Sequence, residues 1–107
     1  MAGTFTPKVL AEGQLATTKT TLFTAVAATY VKSLTLFNDN AAEQTVIVYV
    51  RPASTSRKIR RFVLAQNEHA NAIDPGEIIL LETGDLIEAQ TTTASAVDFV
   101  LMGVEET

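Results

Sequence analysis

Apolar and polar residues alternate with a period of two through much of this chain, most clearly between Thr29 and Arg51. Leu34 and Leu36 alternate with Ser33 and Thr35, and Val46, Val48 and Val50 with Thr45, Ile47 and Tyr49. Successive side chains of a strand point to opposite faces, so the pattern predicts two strands, Tyr30–Asn38 and Gln44–Arg51. The polar segment Asp39–Glu43 between them reads as the loop of an antiparallel hairpin. A one-residue slip would exchange the faces, so the expected register sets Leu36 opposite Val46 and Leu34 opposite Val48.

The rest of the chain follows the same rule. Residues 1–8 lack periodicity and contain Gly3 and Pro7, which predicts an extended N-terminal arm before a single domain over 9–107. KVLAEGQL is expected as a short edge strand with a bulge or bend at Gly13, and TLFTA as another strand with Leu22 inward. Pro52 should end the strand before it. RKIRRFVL (57–64) alternates again, placing Ile59 and Val63 with Arg61 on one side and Phe62 and Leu64 with Arg60 on the other. The stretch 66–72 is polar and irregular, and Asp74-Pro75-Gly76 is a turn. EIILLE (77–82) reads as a strand covered on both faces. Thr83-Gly84-Asp85 turns into LIEAQ, with Ile87 and Ala89 inward, and AVDFVLMGV (96–104) is the last strand. Helical periodicity is nearly absent. About eight short strands with turn signals between them predict an all-β antiparallel sandwich or jelly roll, of unspecified strand order.

At 107 residues the chain is long enough for one core without staples. It contains no cysteine, which excludes disulfides and thiolate metal sites. The opening MAGTFTPKVL has no basic region followed by an apolar core, so no secretory signal is expected, and Thr20–Val31 is too short to span a bilayer. Charged residues make up only 19% of the chain and mean hydropathy is +0.20, which leaves apolar surface for a partner. The surplus is specific. With the core set facing inward, the opposite faces carry Val31, Phe37, Ile47 and Tyr49 in the central strands and Val100 and Met102, with Val104, in the last. These are the expected self-association residues. Covering them needs another layer, and a stable subunit contact buries on the order of 1,600 Å² in total.

Net charge is −4, unevenly spread. Arg51, Arg57, Lys58, Arg60 and Arg61 supply five of the eight basic residues, and the remainder of the chain sums to −9. This basic edge on an acidic body is the expected contact for an acidic protein surface. The overall pI of 4.8 and the scarcity of neighbouring aromatics argue against nucleic acid.

Catalytic chemistry finds little support in the sequence. His69, the single histidine, stands in a polar loop without the converging ligands a metal needs. Asp74, Glu77, Glu82, Asp85 and Glu88 sit at turns and strand ends, where solvation and edge protection explain them. No phosphate loop, nucleophile elbow or zinc motif occurs. The expectation is a non-enzyme without metal or cofactor.

The pieces PKVLAEGQLATTKTTLFTA, VKSLTLFNDNAAEQTVIVYV, the DPGE turn and LETGDLIEAQTTTASAVDFVLMGVEE follow one another in a linear pattern. That pattern, spanning residues 7 to 106, resembles a family of small virion proteins of tailed bacteriophages. The resemblance implies a β-sandwich or jelly-roll subunit, made in the host cytoplasm and built into the virion. Many such proteins are decoration, or cement, proteins, often trimeric, that stabilise the shell of the major capsid protein. Others sit at the neck, tail, baseplate or fibre base, and the sequence does not separate these addresses. The resemblance carries no active-site residues. A glycan-binding sandwich is the reading from another class, and the lack of tryptophan with only two tyrosines weighs against it.

Overall fold

The structure, a computed structural model, describes residues 4–51, 55–74 and 76–106. Nine strands form among them: β1 (Phe5–Gln14), β2 (Thr20–Thr24), β3 (Thr29–Asn38), β4 (Gln44–Arg51), β5 (Arg57–Leu64), β6 (His69–Asn71), β7 (Ile79–Leu81), β8 (Leu86–Gln90) and β9 (Val97–Glu106). They make two antiparallel sheets. The first has the order β1-β9-β3-β6, with β7 also pairing β3; the second has the order β2-β8-β4-β5. Strands β6 and β7 pair with opposite halves of β3, so together they fill one strand position. Strand β1 meets β2 along one flank and β5 meets β6 along the other.

In chain order the polypeptide passes between sheets at nearly every connection, and only β4 and β5 are consecutive strands that pair. This winding is that of a jelly roll, in which each sheet interleaves early and late strands. The sandwich measures 51 × 26 × 21 Å.

The central hairpin does not form. Strand β3 pairs with β9, β6 and β7, and β4 pairs with β5 and β8. The segment Asp39–Glu43 is therefore an arch that crosses from one sheet to the other. Leu34, Leu36, Val46 and Val48 are all buried, but they belong to facing layers of the core and not to adjacent strands. Alternation cannot tell these apart, because a hairpin and an arch send the same side chains inward. The difference lies in two polar residues. Asn38 and Gln44, which read as loop flanks, are completely buried. The Asn38 amide donates to the carbonyls of Leu64 (2.9 Å), Ala42 (3.1 Å) and Ala65 (3.2 Å), and its oxygen accepts from the Asn40 N–H (2.9 Å). Gln44 accepts from the Thr93 N–H (2.8 Å) and the Thr91 hydroxyl (3.2 Å). Buried polar groups are tolerated only when so paired, and these pairs tie the connections at this end of the sandwich into one network.

Three other expectations are corrected. Phe5–Lys8 are not an arm: they open β1 and pair with Gly103–Glu106 of β9. Met1–Gly3 lie outside the described residues, as do Pro52 and Pro75. The β1 bulge falls at Leu10 and not at Gly13. The EIILLE run contributes only a three-residue strand whose Leu80 is 51% exposed, so it is covered on one face. The turn at Thr83-Gly84-Asp85 does form. It is closed by the Asp85 N–H on the Glu82 carbonyl (2.9 Å), with Gly84 at φ 94°, a conformation glycine adopts without strain.

Candidate functional site

A sandwich has two outward faces, and here they differ in chemistry. On the second sheet, register fixes which residues point out. Ile47 pairs with Arg61, Tyr49 with Lys58, and Arg51 with Leu86. Arg51, Lys58 and Arg61 thus share the outer face with Ile47 and Tyr49. Lys19 joins them from the β1–β2 connection, its Nζ 5.2 Å from the centroid of the Tyr49 ring. Tyr49 is only 8% exposed and donates its hydroxyl to Gln90 Oε1 at 3.0 Å. The one carboxylate in this sheet's outer rows, Glu88, is buried and accepts from the Ser56 hydroxyl. Among the described residues Lys19, Arg51, Lys58 and Arg61 have no ion-pair partner. The face is a cationic platform around a tyrosine.

The other two residues of the basic cluster go elsewhere. A bulge between Val48 and Tyr49 leaves Ile59 unmatched in β5, and beyond it the alternation shifts by one. Arg60, paired with Val48, turns to the flank between the sheets. There it bonds Glu77 and lies 3.5 Å from Asp74, with its Nη1 on the Ile59 carbonyl. Arg57 and Arg60 line a hollow of about 390 Å³ with Val50, Ile59, Ile78 and Ile79. A run contiguous in sequence is thus divided in space: Arg60 is spent on an internal ion pair, and Lys19, far away in sequence, takes its place on the platform.

The outer face of the first sheet carries an apolar stripe. Val9 pairs with Met102, which pairs with Ser33; Pro7 pairs with Val104, which pairs with Tyr30, which pairs with Leu80. Val9 is 53% exposed, Met102 41% and Val100 37%. Phe5, at the end of the same face, packs its ring 5.2 Å from that of Tyr30. Lys8 and Lys32 border a shallow hollow floored by Val9, Met102 and Val104.

The expected self-association residues therefore separate. Val100 and Met102 lie exposed on this face, and Phe37 stands at its Asp98 end, half-buried. Val31 does not belong: a bulge at Lys32 turns it inward, where it is fully buried. Gly103 is its partner there, and a Cβ at Gly103 would collide with the Tyr30 carbonyl. Ile47 and Tyr49 are on the opposite face of the molecule, because β4 is in the other sheet. Phe5, Val9 and Leu80 were missed. The first two were read as arm and linker-like edge, and Leu80 as core.

The acidic residues are engaged in structure. Asp74 and Glu77 hold Arg60, and Asp85 Oδ2 accepts from the Glu82 N–H at 3.0 Å. His69 is exposed at the start of β6. Among the described residues no three His, Asp or Glu side chains form a group that could hold a metal ion.

No protein-family model matches this chain, and no curated protein matches it. Among solved structures, one from the Bacillus endospore appendages, described as a novel family of disulfide-linked pili, superposes with a TM-score of 0.60. The match covers 98% of this chain and 89% of that one, at 14% identity. At that identity the likeness concerns the fold: an all-β sandwich shared almost end to end.

Proposed function

We propose that this protein is a structural subunit of a tailed-phage virion, a decoration subunit that docks on the head shell and on its own kind. The observation that carries the reading is the pair of unlike outer faces on one rigid jelly roll. One face is cationic with its charges unpaired, and the other is apolar and exposed. A shell-stabilising protein needs such a division, one surface for the shell and one for a neighbour, and symmetry multiplies modest contacts over many copies. The linear resemblance to phage virion proteins supports a place in the virion, head and tail alike. A second reading, a subunit of a filament, is favoured by the superposition on a pilus protein. With no cysteine, such a filament would be held by contacts alone, unlike the disulfide-linked pili.

The platform gives the test. Charged contacts on an acidic shell are screened by salt and lost on reversal. Lys58→Glu combined with Arg61→Glu should lower occupancy on purified phage heads at least tenfold and leave the circular dichroism spectrum unchanged. Wild-type occupancy should itself fall with added salt. Full occupancy of the double variant overturns the contact, and about a dozen or fewer copies per particle moves the address to the neck or tail.

A further inference from the structure

We infer that the outer face of the first sheet binds a second copy of this chain, two-fold related, with the paired sheets running antiparallel. The inference deepens the structural-subunit reading by naming the occupant of one face, and its test uses the purified chain without any shell. Failure here therefore leaves the cationic platform untouched.

Size is the first reason. Strands β1, β3 and β9 are ten residues each. Three such strands span about 33 by 14 Å. With side-chain relief and its rims, a face of that extent removes on the order of 800 Å² from water per copy, the share each partner gives to a standard stable interface. The exposed parts of Phe5, Val9, Leu80, Val100 and Met102 present about 400 Å² of apolar surface, at the level where a patch on a small protein has a binding role.

Shape and charge name the occupant. The apolar stripe follows the middle strand, Val100, Met102 and Val104, with Val9 and Pro7 beside it on β1. Flat β faces pack well on flat β faces, as the two layers inside this sandwich already do. Charge is uneven along the stripe. Glu12 and Asp98 stand at the β9 start, where Gln14 holds Asp98 at 3.0 Å, Lys32 projects at the bulge beyond Met102, and Glu106 stands at the far tip beside Phe5. A parallel overlay would set like charge on like. An antiparallel overlay centred between Val100 and Met102 carries Lys32 of each copy toward the Glu12–Asp98 end of the other, twice over by symmetry.

Such an axis sets Met102 of each copy opposite Val100 of the other and leaves the two Met102 positions about 12 Å apart across face-to-face sheets, which the cysteine-free background makes directly testable. That distance is too long for a disulfide, so Met102→Cys should be joined to its mate by a short bismaleimide linker, whereas Val63→Cys, similarly exposed on the other sheet, should stay monomeric on a denaturing gel. Sedimentation of the wild-type chain should show a monomer–dimer equilibrium. Met102→Glu should weaken it at least a hundredfold with the melting curve otherwise cooperative. A wild-type chain that sediments as monomer at 100 µM overturns the inference. So does a trimer, or a linker that joins both cysteine variants equally.

Discussion

The two ends of the sandwich are closed by different means. At the end where β3 leaves and β4 enters, buried amides do the closing. Asn38 and Gln44 reach two other connections, β5–β6 and β8–β9, and the backbone follows: Asn38 N–H bonds Glu68 (3.0 Å), Asn67 N–H bonds Asn38 (2.7 Å) and Asp39 N–H bonds Ala96 (3.0 Å). At the opposite end Val26 is 73% exposed, and midway along the flank, between β6 and β7, Ile78 is 53% exposed beside the partly exposed Arg60 ion pairs. Paired amides in a dry interior are costly to disturb, while ion pairs in water are nearly interchangeable with water. One end is therefore a fixed frame, and the other is the part of the molecule with room to meet a neighbour.

Asn38→Leu breaks the contrast most directly. It removes one donor from each of three carbonyls and the acceptor of the Asn40 N–H, and should destabilise by about 2–4 kcal/mol. Urea unfolding measures it, and a loss under 1 kcal/mol would mean the network is not what closes this end. Gln44→Leu removes fewer bonds in the same network, and a loss of about 1–3 kcal/mol is expected by the same titration. Glu77→Gln, on the open flank away from that network, should change stability by no more than about 1 kcal/mol, because its ion pair with Arg60 is partly exposed. A larger loss there would erase the distinction between the ends.

Much of the core was legible in the chain. Leu34, Leu36, Val46, Val48, Ile87, Val97 and Leu101 alternate cleanly and are buried as the alternation requires. Pairing was not legible, because sharing a core does not imply sharing a sheet, and the arch looked like a hairpin. Faces were legible only between bulges. One extra residue at Lys32 moves Val31 inside, and one at Ile59 moves Lys58 from Arg60's side of the strand to Arg61's. The platform had a signal in the basic run but not in Lys19, whose place depends on how the β1–β2 connection lies over Tyr49. The apolar face had its signal in Val100 and Met102. Its other half is less legible: Phe5 falls in a stretch that reads as an extended arm, and Val9 in a short edge strand whose outward face the alternation does not mark.

The ladder between β1 and β9 has a consequence for how the protein is made. Phe5–Gln14 pairs only with Val97–Glu106 among the described strands, so of these nine the first to be made is completed by the last. During elongation it waits roughly 5–20 s at usual rates of synthesis, a long exposure for a ten-residue ribbon. Pro7, Lys8, Glu12 and Gly13, poor choices for a sticky strand, keep it from recruiting a stranger in that interval.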